Sequence, residues 1–211
     1  MKKMRLYHFL PEEYALDDLK NSRIKISKLD SLNDPFELLW LYGDKEENAA
    51  LIAFKKEFSK KGGIICFSQN WQNLLLWSHY ANRHKGICLG FDIENKLVKK
   101  VCYVDARTRL NPSLSKEMED RLVYTKSSGW KYEEEWRCWL SLNDKGPGEH
   151  YFYDFSEDIK LCEVIAGPLC DISKSEITSA IGKGGHDVKL VKAKLADDSF
   201  LIVKDERGFT G

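Results

Sequence analysis

The stretch GWKYEEEWRCWL, Gly129 to Leu140, sets three consecutive glutamates among Trp130, Tyr132, Trp136 and Trp139. Carboxylates belong on solvated faces and tryptophans against a core, so the chain needs a geometry that separates sequence neighbours. A strand provides it, because successive side chains point to opposite faces. Read this way, Glu134, Trp136, Cys138 and Leu140 share one side, apolar from Trp136 onward, and Glu133, Glu135, Arg137 and Trp139 share the other. One face packs; the other presents two carboxylates, a guanidinium and an indole. The simpler alternative is an edge strand on which Glu135 and Arg137 pair with solvent or with cross-strand charges.

The same periodicities organise the rest of the chain. MRLYHFL reads as a first strand, and PEEYALDDLKN as a helix with Pro11 at its start, acids in its first turn and Lys20 near its end. RIKISKL alternates, with Ile24 and Ile26 on one face, as a half-buried strand does. DSLNDPFE is rich in turn residues, and Pro35 pushes Asp34 towards extended geometry. DKEENAALIAFKKEFSKK is an amphipathic helix that Gly62 and Gly63 would close. IICFS is a strand, WQNLLLWSHYANRH has helical character up to Gly86, and GICLGFDI and KKVCYVD are two further strands. SLSKEMEDRLVYTK reads as a helix leading to the strand EWRCWLSL. KLCEVIAG, SKSEITSAIG, HDVKLVKAKL and SFLIVKDE then give strand, helix, strand, strand. Strands and helices mix without a clean βαβ repeat, which predicts an α+β fold, a mixed antiparallel sheet with flanking helices, in a single domain over 1–211.

Charge narrows the function classes. Lys+Arg and Asp+Glu both number 33, so no global field draws in nucleic acid or an anionic membrane. No apolar run is long enough for a signal peptide or a membrane span. Cys66, Cys88, Cys102, Cys138, Cys162 and Cys170 form no C-x-x-C pair and mostly lie in apolar runs, the pattern of reduced, buried thiols in a cytoplasmic protein. Walker, G-x-G-x-x-G, G-x-S-x-G and H-E-x-x-H motifs are missing, which removes the usual support for nucleotide-loop, hydrolase and zincin chemistry. The polar residues in apolar surroundings are His8, Ser68, His79 and Tyr80; singly, each reads as a structural group. Asn33, Asp34 and Glu37 singly read as turn chemistry.

Taken together, LYHFL, ISKLDSLNDPFE, CFSQNWQNLLLWSHYANRHKGICLGFD, WKYEEEWR and VIAGP resemble, in that order, the bacterial domain-of-unknown-function family DUF2971. The order of parts also resembles the ADP-ribosyltransferase fold, the split-sheet core of enzymes that cleave NAD. That second resemblance implies an ADP-ribosyltransferase-like sheet and NAD as substrate. It implies His8 on the first core strand bonding a ribose hydroxyl, Ser68 on a middle strand, and Tyr80 stacking on nicotinamide. Glu135 would be the catalytic carboxylate, stabilising the oxocarbenium-like charge that builds as nicotinamide leaves, and Glu133 a general base. Arg137 would contact a phosphate or hold the glutamates apart. Phe67 or Cys66 stands where those enzymes carry a tyrosine, a departure from their pattern. By analogy with other small transferases, such a protein would act as a toxin or antiphage effector with a neutralising partner protein. The acceptor (protein, nucleic acid, small molecule or water) is left open by the sequence.

Two other classes compete. A magnesium-dependent nuclease would gather Asp34, Glu37, Glu133 and Glu135 as oxygen ligands. A non-enzymatic nucleotide-sensing or protein-interaction module would use His8 and Tyr80 to line a pocket, with the glutamates only solubilising an edge.

Overall fold

The computed structural model describes residues 2–110, 121–142, 150–182 and 187–209. In chain order the elements are β1 (Lys3–Leu10), α1 (Glu12–Asn21), β2 (Arg23–Lys28), β3 (Leu41–Tyr42), α2 (Lys45–Phe58), β4 (Gly62–Ser68) and α3 (Leu74–Tyr80). Then come β5 (Ile87–Glu94), β6 (Lys99–Lys100), β7 (Cys102–Val104), β8 (Thr108–Arg109), β9 (Thr125–Ser127), β10 (Glu135–Ser141) and β11 (Tyr151–Asp154). β12 (Ile159–Ala166), α4 (Lys174–Ile181), β13 (Lys189–Leu195) and β14 (Ile202–Lys204) complete the chain. The fold is α+β, as the mixed order of periodicities predicts. No helix among the described residues is long and apolar enough to cross a membrane.

The chain divides into two compact units, each assembled from separate segments. The first comprises Met1–Ile24, Phe67–Leu97 and Tyr153–Gly211. Its centre is β5, antiparallel to β1 along its whole length from Lys3↔Glu94 to Leu10↔Ile87, and antiparallel to β12 on the other side. A register shift between Leu161 and Glu163 marks a bulge in β12. β12 runs parallel to β13, the crossover between them carrying α4, and β14 returns antiparallel to β13. Leu6, Leu89, Phe91, Val164, Ile177 and Val191 form its interior. α1 begins after Pro11, buries Ala15 and Leu19, and ends at Ser22, whose left-handed φ of 50° turns the chain into β2.

The second unit comprises Lys25–Cys66 and Val98–Phe152. Here β10 pairs with β4 and, antiparallel, with β6 through Trp136↔Lys100 and Arg137↔Lys99. β2 joins β4 at Ser27↔Ile64. Two small parallel pairs, β3 with β8 and β7 with β9, flank these strands. α2 starts on a capping box: the Asp44 carboxylate accepts from the backbone N–H groups of Glu46 and Glu47, and Glu47 returns the bond to Asp44 N–H. Its core is Leu29, Leu38, Trp40, Leu41, Leu51, Phe58, Ile64, Leu122 and Val123.

Several local expectations differ from the structure. Gly62 and Gly63 open β4 instead of ending α2, which stops at Phe58. Gly62 is required by close approach: a Cβ there would sit 2.4 Å from the Trp139 ring and 2.7 Å from the Leu140 carbonyl oxygen. The helix after IICFS spans only Leu74–Tyr80, capped by the Asn73 side chain, because Asn82, Arg83 and His84 all take positive φ. Most of the helix expected over SLSKEMEDRLVYTK falls outside the described residues; 121–123 are helical, and its last two residues, Thr125 and Lys126, belong to strand β9.

Candidate functional site

The acidic stretch divides where the strand reading kept it whole. Ser128–Glu133 is a 3-10 turn and Glu134 adopts left-handed geometry at φ 47°, so β10 begins only at Glu135. The Ser127 hydroxyl accepts from Gly129 N–H at the start of that turn. Glu133 is thus not a strand neighbour of Glu135; the reversal at Glu134 brings both carboxylates to one cation instead.

Within β10, Glu135, Arg137 and Trp139 do share a face, and its charges are buried, as is Cys138 on the opposite face. Arg137 is 0% exposed, Glu135 3%, Glu133 4%, Glu37 3% and Lys126 7%. Trp139 stacks on Phe58 of α2 with ring centroids 5.0 Å apart. An edge strand with solvated charges is therefore not what this chain builds. Burial is tolerated because every charge has a partner.

The array runs through alternating signs. Arg137 Nη1 donates to Glu37 Oε1 at 2.5 Å and Nη2 to Glu37 Oε2 at 2.9 Å. Arg137 Nε donates to Glu135 Oε1 at 2.7 Å, and Nη2 also reaches Glu135 Oε2 at 3.1 Å. A further Nη1 bond goes to the Val123 carbonyl. All five N–H donors of the guanidinium are engaged. Lys126 Nζ donates to Glu135 Oε2 at 3.0 Å and to a Glu133 oxygen, and lies 4.9 Å from the centre of the Trp130 ring. The Tyr103 hydroxyl accepts from Glu135 N–H at 2.9 Å and fixes the start of the strand. Three carboxylates and two cations leave one negative charge in excess.

Burial alone would raise the Glu135 carboxyl, but Arg137 and then Lys126 outweigh it and hold its pKa to about 2. Burial opposes the charge on Lys126 and Arg137, yet the facing glutamates raise both. Burial pushes the Tyr103 hydroxyl up to about 12. Burial, reinforced by the Glu135 carboxylate, lifts the Cys66 thiol well above its ordinary range. Glu135, Lys126, Arg137, Tyr103 and Cys66 are thus each driven towards a fixed protonation state at neutral pH.

The remaining residues singled out in the sequence have local contacts of their own. Asp34 accepts from Phe36 N–H at 2.8 Å and so turns its own loop. Glu37, the residue after Phe36, joins the array. Among the described residues no group of three or more His, Cys, Asp or Glu side chains is arranged to hold a metal ion, and cations sit between the carboxylates the nuclease reading would gather.

His8, Ser68 and Tyr80 belong to the first unit. Phe9 meets Trp77 of α3 edge-on at 5.2 Å, so α3 covers the face of β1 that carries Tyr7 and Phe9. Ser68 is the cross-strand partner of Tyr7 and shares that face. His8 points the other way, its ring 5.8 Å from that of Phe67. The imidazole and the helix bearing Tyr80 thus stand on opposite faces of the sheet, which corrects the expectation that they line one pocket. Ser68 exchanges hydrogen bonds of 3.2 Å with the backbone of Asn70, closing a turn, and the cap of α3 is Asn73. Tyr80 is the last residue of α3, its ring 6.0 Å from that of His79.

Residues 76–138 match the model of a family described as "Protein of unknown function (DUF2971)". The match to DUF2971 runs from α3 to β10 and contains Tyr80, Lys126, Glu133, Glu135 and Arg137; His8, Asp34, Glu37 and Ser68 lie before it. No curated protein and no solved structure matches the chain. Lys126 and Tyr103 complete the array, and sequence reasoning missed both. Neither carries a local signal: Lys126 sits at the end of a stretch with helical periodicity, and Tyr103 inside an ordinary strand pattern.

Proposed function

We propose that the protein binds NAD and either transfers its ADP-ribose to an acceptor or hydrolyses it. The observation that carries the reading is Glu135, a buried carboxylate whose pKa is held to about 2, in an array with one negative charge in excess. In the proposed reaction the C–N bond between ribose and nicotinamide breaks, and its electron pair leaves with nicotinamide. The ribose then carries oxocarbenium-like positive charge, which a fixed anion stabilises without reorganising. The acceptor oxygen attacks the same carbon, and Glu133 takes its proton. Arg137, with every donor occupied, holds Glu135 and Glu37 and leaves no N–H for a phosphate. His8 and Tyr80 leave β1 and α3 on opposite faces, so the reading rests on Glu135 and the resemblance alone.

The test is incubation with NAD labelled in the nicotinamide ring, comparing the native protein with Glu135→Gln. Release should fall by about two to three orders of magnitude in the variant, the usual cost of one such electrostatic contact. Equal release from both proteins removes Glu135 from the chemistry.

A second reading has its own support. Both oxygens of Glu135 and all five donors of Arg137 are engaged within the protein, the arrangement expected of a clamp joining segments distant in sequence. On this reading the protein is a binding module and the array is architectural. Glu135→Gln would then lower stability, and no nicotinamide would be released by either protein.

A further inference from the structure

The second unit exposes two aromatic rings on its surface. Phe36 is 58% exposed and Tyr42 40%; of the described residues in this unit, Ile52 is the other large hydrophobic left so open. The Arg107 guanidinium lies against both rings, 6.0 Å from the centre of Phe36 and 5.9 Å from that of Tyr42. It is fixed there: Nε donates to the Leu39 carbonyl at 2.7 Å and Nη2 to that of Leu41. Its Nη1 has no protein partner among the described residues. Tyr42 is the register partner of Arg109 across the β3–β8 pair. The Arg109 side chain is 66% exposed, with the Glu47 carboxylate 3.8 Å away, beyond hydrogen-bond reach.

We propose that the β3–β8 edge binds single-stranded nucleic acid, bases stacking on Phe36 and Tyr42 and backbone phosphates meeting Arg107 and Arg109. Aromatic faces beside guanidinium groups are the two elements that hold a strand without reading its sequence. Rings exposed to this degree do not line the concave, enclosing pocket a free nucleotide needs. The patch is aromatic and cationic, not aliphatic, which favours a polyanion with planar bases over a protein partner. The surface goes beyond the NAD reading and does not depend on it. It adjoins the buried array through the chain itself, since Phe36 precedes Glu37, so a strand docked there lies beside the segment that Arg137 anchors.

The experiment is fluorescence anisotropy of the full chain with end-labelled DNA and RNA strands of about 12 nucleotides, a length within the usual site size. Native protein should bind them, and binding should weaken as salt rises. Tyr42→Ala should weaken it roughly 10-fold, in the range for one lost base stack. Arg109→Gln should reduce the slope of log K against log salt by about 0.7, the single-strand value for one phosphate contact. Arg109 is a surface residue away from the core, so this variant keeps the test open if Tyr42→Ala folds poorly. No binding by native protein, equal binding by the variants, stronger binding to duplex, or displacement of the strand by NAD alone would each overturn the proposal.

Discussion

Arg137 grips Glu37 with both terminal nitrogens, at 2.5 Å and 2.9 Å, across 100 residues of sequence. The same guanidinium holds Glu135, two residues away on its own strand. A loop and a strand of the second unit are thus joined through one fully buried cation. Removing it leaves the Glu37 carboxylate without its cation in a dry interior and Glu135 with Lys126 alone, which costs far more than the pair contributes over an apolar replacement. Arg137→Met should therefore lower the unfolding free energy by about 3–5 kcal/mol, measured by urea denaturation. Adding Glu37→Gln to Arg137→Met should recover part of the loss, because one uncompensated charge is gone. Strict additivity of the two substitutions would show that Glu37 and Arg137 are not coupled.

Acid should act on the same array. The folded pKa of Glu135, about 2, lies below the ordinary carboxylate value. A depressed folded pKa gives stability that is complete above the unfolded value, about 4.3, and is lost as pH falls through the folded one. Stability should therefore decline between about pH 4.3 and pH 2, with Glu135 contributing up to about 3 kcal/mol of the loss. Glu135→Gln should flatten this part of the profile, read as the urea midpoint against pH. A native slope unchanged in the variant would mean that other carboxylates govern acid unfolding.

The sequence made some elements legible and hid others for identifiable reasons. β1, α1, β2, β5 and β10 carry local signals, such as Pro11 before an acidic first turn or the alternation around Ile24 and Ile26, and these signals agree with the structure. The strand at Glu135 was readable; the burial of its charged face was not. Apolar Trp136 and Cys138 argue for packing on one face, and Cys138 is buried there; Arg137 and Glu135 are buried on the other because Glu37 and Lys126 arrive from elsewhere in the chain. Alternation records chemistry along one strand, and ion pairing is decided by residues far away in sequence. The split at Glu134 was hidden for another reason: a glutamate rarely adopts left-handed geometry, so nothing marks the turn. The same holds for Arg83 and His84, which shorten α3.

Gly62 gives a local test of packing. A methyl group there would meet both the Trp139 ring and the Leu140 backbone oxygen at distances real Cβ atoms do not show. The backbone contact cannot be relieved by a side-chain rotation alone, so β4 and β10 would have to separate. Gly62→Ala should destabilise the protein by about 1–3 kcal/mol, the range for overpacking. The loss should appear as a lower Tm, with intrinsic tryptophan fluorescence reporting the displacement of Trp139. A neutral substitution would show that this part of the β4–β10 contact has slack.

The cysteines separate by accessibility and thiolate content. All six are free, and only Cys102 is exposed. Burial raises the thiols of Cys66 and Cys88 well above the ordinary range, and those of Cys138 and Cys170 to about 11. Alkylation requires thiolate and access together. Brief treatment with iodoacetamide at neutral pH should therefore label Cys102 first, while Cys66, Cys88, Cys138 and Cys170 react only after denaturant is added. Peptide mass spectrometry resolves the order, because each thiol lies in a different sequence context. Early labelling of Cys66 would show that solvent reaches the Glu135 carboxylate beside it, and would open the buried array to small molecules under native conditions.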